Sequence, residues 1–280
     1  MRAVLRQSYL ILPTMLLAFL LAVPQARAAS DEELDTFLEV TGFDVALESI
    51  RLSADTAPGM LGLDPDAFGS EWSRLVNEIF ATEIMHDMGV QLLEQSLSDE
   101  LLDHATDFYG SELGQRLVAV ENKAHLTEED EVKAESGEEI IAGLERIGSD
   151  RVEILRRLNA ASSVEDTSVR ALQEVQIRFL LAAASAGVIE LRMDEADLRA
   201  TMEAQIPEMR EAMRAGALAN AAYTYQAFSD ADLEAYAEAL ETPEMQQVYE
   251  LMNAVQFEIM ANRFEAVAQR LSDMQPSQEL

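Results

Sequence analysis

From Ser30 onward, apolar residues recur at spacings of three and four, the period of a helix face, rather than the alternation of a strand. Ser30-Asp31-Glu32-Glu33 is a capping box that opens a first helix, running to about Thr41, where Gly42 stops it. A second helix is predicted over residues 43–57, and residues 58–66, with two prolines and two glycines, read as the main early loop. Trp72, Leu75, Ile79 and Phe80 then line one face of a longer helix reaching about Gln95, bent near Gly89. Ser98 caps a helix with the stripe Leu102, Ala105, Tyr109, and Gly110-Ser111 breaks it and starts another with the stripe Leu113, Leu117, Val120, Ala124.

Residues 127–139 carry seven acids against one lysine, which predicts a solvated helix face or connector. Residues 140–158 are amphipathic again, with a break at Gly148-Ser149. Residues 163–186 become apolar nearly all round, the mark of a central helix.

An internal offset organises this run of helices. Sliding the sequence by 131 positions lays residues 95–122 on 226–253 without a gap. Six of the 28 pairs are identical: Gln95/Gln226, Ser98/Ser229, Asp99/Asp230, Leu102/Leu233, Gln115/Gln246 and Asn122/Asn253. Retained roles carry more weight than identity. Ser98 and Ser229 are both cap candidates, and Ser111 and Thr242 both restart a helix, the latter with Pro243 at the favoured first position. The pattern predicts one helix-turn-helix unit used twice, with a groove between the two halves.

The first thirty residues differ in kind. Arg2 and Arg6 precede an apolar run over residues 9–23, and Ala26-Arg27-Ala28 closes it with small residues. That order predicts a cleaved export signal ending near Ala28. The apolar run falls short of the roughly twenty residues of a bilayer-spanning helix. The expectation is therefore a periplasmic or secreted protein with no stable membrane insertion after cleavage.

Removing that segment takes three arginines and no acid, leaving 17 bases against 52 acids, a net charge of −35. A surface of this sign repels polyanions, which argues against a nucleic-acid partner. The chain has no cysteine, so disulfides, thiolate metal sites and a cysteine nucleophile are excluded, and packing alone must hold the fold.

The reactive constellations are thin. There is no G-x-S-x-G elbow, and the twelve glycines form no phosphate-binding loop. Glu83-Ile84-Met85-His86 is one Glu-x-x-His motif of the kind that helical di-metal sites use in pairs, but His104 and His125 follow their nearest upstream glutamates by four. Met85, His86 and Met88 are a weaker soft-metal set. Asp99, Asp103 and Asp107 share a face at four-residue spacing, which points to a wet helix side. Met202, Met209 and Met213 make a flexible apolar strip beside Ile206-Pro207, suited to core filling or to an adaptable groove. Tyr223, Tyr225 and Tyr236 are candidates to line such a groove, with their hydroxyls at its rim.

The run Ser98-Asp99-Glu100-Leu101, then Asp107-Phe108-Tyr109-Gly110-Ser111 and Leu113-Gly114-Gln115, resembles the core motif of an exported bacterial family, the domain of unknown function numbered 2059. Phe228-Ser229-Asp230 through Leu233, Tyr236 and Glu241-Thr242-Pro243-Glu244 resembles the same motif, with Ala239-Leu240 replacing the aromatic pair and Met245 standing where Gly114 stands. The resemblance implies an all-helical exported protein and supplies no reaction, cofactor or catalytic residue.

These readings converge on an all-α, multi-helix bundle built from two related repeats. Its parts are a signal peptide (1–28), a first repeat (29–126), an acidic and amphipathic connector (127–160) and a second repeat (161–280). The function expected is non-enzymatic binding of a protein, a small apolar ligand or a second copy of the chain in an apolar groove between the repeats. The alternative is a metal-dependent enzyme or metal carrier centred on Glu83 and His86. No residue is assigned a catalytic, cofactor-binding or metal role, and no cofactor is expected.

Overall fold

The computed structural model of the chain describes residues 31–54, 57–63, 70–127, 130–162 and 165–272. The export signal expected over residues 1–28, and Ser30 of the first capping box, lie outside the described residues. Every extended regular element among the described residues is a helix. In chain order these are α1 (Asp31–Thr41), α2 (Phe43–Ser53), α3 (Ala57–Met60), α4 (Ser70–Ile79), α5 (Thr82–Leu93), α6 (Asp99–Tyr109) and α7 (Glu112–His125). They continue as α8 (Asp130–Arg146), α9 (Arg151–Ser162), α10 (Glu165–Ser185), α11 (Glu195–Glu203), α12 (Ile206–Thr224), α13 (Asp230–Leu240) and α14 (Pro243–Leu271). None of them is long and apolar enough to cross a membrane.

The 29-residue α14 is the axis of the molecule. It runs along α10 and also touches α4, α5, α6 and α9, so helices from early and late in the sequence meet on it. Phe264 shows how: Phe80 and Phe179 approach its ring edge-on, with centroids 5.5 and 5.3 Å away. One apolar core contains all three rings. A small satellite of Ile177, Leu198 and Met202 fastens α11 to α10.

Two helix corners are alike in detail. α6 and α13 each span eleven residues, beginning after Ser98 and Ser229, whose hydroxyls accept from the backbone N–H three residues on. α7 and α14 begin after Ser111 and Thr242, whose hydroxyls do the same. These side chains satisfy helix-end N–H groups that have no intrahelical partner, which is why the helices start where they do.

The structure departs from the sequence expectations at two places. The helix expected to bend at Gly89 is broken earlier, at Phe80-Ala81, where Ala81 turns to φ −59°, ψ 129°. Neither residue is a helix breaker; Phe80 is fully buried against Phe264, and tertiary packing sets the break. Gly89 instead lets α5 approach α2, its Cα side facing Phe43 and Leu47. In the early loop, residues 57–60 form the short α3 with Pro58 buried in its first turn. The acidic stretch enters α8 with Glu135, Glu138 and Glu139 exposed, as expected of a solvated face, while the Gly137 side packs closely along α12: a Cβ on Gly137 would lie 2.0 Å from the carbonyl oxygen of Ala219. α9, after a left-handed turn at Gly148 (φ +65°), packs on α13.

Candidate functional site

Tyrosine hydroxyls from four elements converge on one carboxylate. Tyr109 ends α6, Tyr225 follows the last turn of α12, Tyr236 lies mid-way along α13 and Tyr249 in the second turn of α14. Glu121, on α7, accepts on Oε1 from the hydroxyl of Tyr225 at 2.6 Å and that of Tyr236 at 3.0 Å. The hydroxyls of Tyr236 and Tyr249 are 3.1 Å apart, and that of Tyr109 lies 2.5 Å from Tyr249 and 3.3 Å from Tyr236. The cluster is braced from outside. Phe108 stacks on Tyr236 at 5.8 Å, Arg151 donates to the carbonyl of Tyr225 at 2.7 Å, and the Arg116 guanidinium sits 4.9 Å over the ring of Phe228.

Burial governs the protonation of these groups. Desolvation raises the Glu121 carboxyl above its ordinary value, while the two tyrosine bonds work against that rise. Burial pushes the Tyr249 phenol up to about 12. Tyr109, Tyr225 and Tyr236 are raised well above the ordinary phenol, first by burial and then by neighbouring acidic groups. His125, one turn beyond Glu121 on the same face of α7, is lowered by burial and by Lys133. At neutral pH the phenols are therefore donors and His125 is a neutral ring. The set is built to hold hydrogen bonds rather than to release a proton.

This cluster forms part of the wall of a cavity of about 780 Å³. Besides Glu121, His125, Tyr225, Tyr236 and Tyr249, its walls carry Arg51 from α2, Asn159 from α9 and Asn220 from α12. Its lining is drawn from α2, α7, α8, α9, α12, α13 and α14. An adjoining space of about 290 Å³ shares Glu121, His125, Ser162 and Tyr249 and adds Tyr109, Asn122 and Asn253.

Of the tyrosines singled out from sequence, Tyr225 and Tyr236 line this cavity, while Tyr223 is half-buried outside it. Met202 belongs to the satellite core and Met213 lines a different cavity, so the methionine strip is divided between two environments. Glu83 is exposed on α5. His86, half-buried one turn further on, is engaged instead by Asp44 (Nδ1 to Oδ1, 2.9 Å) and Asp35 (Nε2 to Oδ1, 3.4 Å). Among the described residues, no group of three or more His, Asp or Glu is arranged to hold a metal ion. Met85, of the soft-metal set, is fully buried in the core. Asp103 and Asp107 lie on an exposed face of α6. His104 Nε2 lies 3.1 Å from the hydroxyl of Thr242, the cap of α14.

Sequence reasoning did not single out Glu121, His125 or Tyr249 as site residues. Two signals were present. The four-residue interval between Glu121 and His125, which disqualifies them as a metal motif, puts both on one helix face. Asn122 and Asn253, identical across the 131-residue offset, both border the smaller space.

A sequence family described as an uncharacterized protein conserved in bacteria (DUF2059) matches residues 83–142. The match contains the first of the two windows that carry the resemblance and ends before the second. No curated protein and no solved structure matches the chain.

Proposed function

We propose that this chain is an exported, non-catalytic binding protein, and that the cavity around Glu121 takes a small, hydroxyl-rich ligand. The observation that carries the reading is the convergence of Tyr225 and Tyr236 on Glu121 at the wall of a cavity large enough for such a molecule. The wall offers a carboxylate acceptor, two side-chain amides, a guanidinium and an imidazole beside tyrosine rings. Hydroxyl groups both donate and accept, so they complement that mixture, whereas an apolar ligand would leave these groups desolvated and unpaired. The groove expected from the sequence is apolar, whereas the cavity assigned here has mainly polar walls. Both tyrosine bonds fall on Glu121 Oε1, and Oε2 is the oxygen assigned to the ligand.

Export is supported by the order of residues 1–28: basic start, apolar middle, small-residue close. Internal duplication is supported by the matched caps at the starts of α6 and α13 and of α7 and α14. On this reading the binding cavity arises where the two copies meet, α7 of one facing α13 and α14 of the other.

A thermal-shift screen with neutral sugars, amino sugars and cyclitols tests the proposal. A ligand that binds the native state raises the midpoint. At least one class should do so for the wild type and fail to do so for Glu121→Gln; a panel with no effect on either would contradict the reading.

A further inference from the structure

A second cavity, of about 590 Å³, lies between α9, α10, α12 and α14 and differs in chemistry from the first. Val169, Met213, Leu218 and Phe257 give it apolar walls, and Arg156, Arg210 and Arg214 also line it. The charge composition is the unexpected part. The whole sequence holds 52 acids to 20 bases, yet this lining holds three arginines and one glutamate, Glu211. Arg210 and Arg214 are four apart on one helix, a spacing at which like charges repel, and Arg156 adds a third positive group from α9. Surface partners moderate the charge: Arg214 bonds Glu211 at 2.9 Å, and Arg156 lies 3.5 Å from Glu145 and 3.7 Å from Glu153. Such exposed pairs are weak and exchange readily for a better anion.

An apolar cavity bordered by guanidinium groups matches a molecule with a chain at one end and a negative head at the other. Arginine suits carboxylate, phosphate and sulfate alike, through paired N–H donors. We propose that this cavity binds a single-chain amphiphile with an anionic head, the chain lying against Val169, Met213, Leu218 and Phe257 and the head among Arg156, Arg210 and Arg214. The site is separate from the polar cavity, which it meets only at Asn159 and Ala217. It stands or falls independently of the ligand proposed there.

Calorimetric titration with dodecanoate below its micellar range tests it. One molecule should bind per chain, and decanoate, two methylenes shorter, should bind about fifteenfold more weakly, each methylene contributing about fourfold. Dodecyl maltoside, with the same chain and a neutral head, should bind at least tenfold more weakly than dodecanoate. The double variant Arg156→Gln/Arg214→Gln, both exposed positions, should lose at least tenfold in dodecanoate affinity while keeping the wild-type melting midpoint. Ala215→Trp, at an exposed position of the lining, should block the space and abolish binding in a folded protein. Equal affinity for the neutral amphiphile, an unaffected double variant, or no binding of dodecanoate to folded wild type would each overturn the proposal. Sedimentation with phosphatidylglycerol vesicles separates the sources of such a chain: the protein should stay in the supernatant, and pelleting without binding of the soluble amphiphile would also overturn it.

Discussion

Gln115 and Gln246, 131 positions apart, make the same hydrogen bond: each side-chain amide donates to the carbonyl six residues earlier, that of Tyr109 at 2.7 Å and that of Leu240 at 2.6 Å. In each case the carbonyl belongs to the last residue of one helix and the glutamine to the first turn of the next. The amide thus ties the corner shut by pairing a helix-end carbonyl that has no intrahelical donor. Gln246 does more, donating also to the carbonyl of Ala161 at the end of α9.

Gln115→Ala and Gln246→Ala should each lower stability by about 1 kcal/mol, with Gln246→Ala the larger of the two because it strands a second carbonyl. Chemical denaturation of the two variants measures this. Equal or negligible losses would show that the corners do not depend on these amides.

Gly137→Ala should be among the more damaging single-methyl changes in the chain. The added Cβ would meet the backbone of Ala219, which cannot rotate aside as a side chain can. Separating α8 from α12 should cost about 1–3 kcal/mol. Gly143→Ala, on the same helix where a Cβ meets nothing, is the control and should be neutral or slightly stabilising through its better helix propensity.

His86 predicts a pH dependence of definite sign. The hydrogen bond that His86 donates to Asp44, with the nearby charges of Asp44 and Asp35, raises its pKa above the ordinary 6.5 despite partial burial. Folding therefore gains from protonated His86; the gain is complete below the unfolded-state value and is lost as pH rises through the higher folded-state value. His125, lowered instead, destabilises the fold only as pH falls below the ordinary value. Denaturation midpoints between about pH 6.5 and 9 consequently isolate His86. Wild type should lose stability across that window, and His86→Gln should lose less; parallel profiles would contradict the assignment.

The sequence and the structure agree where local chemistry decides. Three-to-four spacing marks the helices because an apolar stripe must face a core, and Ser98, Ser111, Ser229 and Thr242 mark helix starts because capping involves only neighbours. The break at Phe80-Ala81 was illegible for the opposite reason: it depends on Phe264, far along the chain, and on no glycine or proline. The tyrosines of the cavity were partly legible, since Tyr225 and Tyr236 stand near a helix corner. Glu121 was not, because one acid among 52 carries no mark of burial until the partners that surround it are placed.

Tyr236→Phe removes a hydroxyl that donates to Glu121 and meets two other phenols. It should lower stability by about 1–2 kcal/mol, because a partly desolvated carboxylate loses a donor. Tyr223→Phe, outside the cluster, should change stability by less than about 0.5 kcal/mol. Thermal unfolding of the pair separates a structural hydrogen-bond network from six interchangeable phenols.

The polar cavity as a binding site is tested most directly by NMR titration of protein carrying ¹³C only in its tyrosine rings. Addition of the sugar or cyclitol that raises the melting midpoint should shift the ring signals of Tyr225, Tyr236 and Tyr249 saturably and together, while that of Tyr223 stays in place. Saturable binding that leaves those three rings unmoved would contradict the account, and so would a panel of which no member perturbs them.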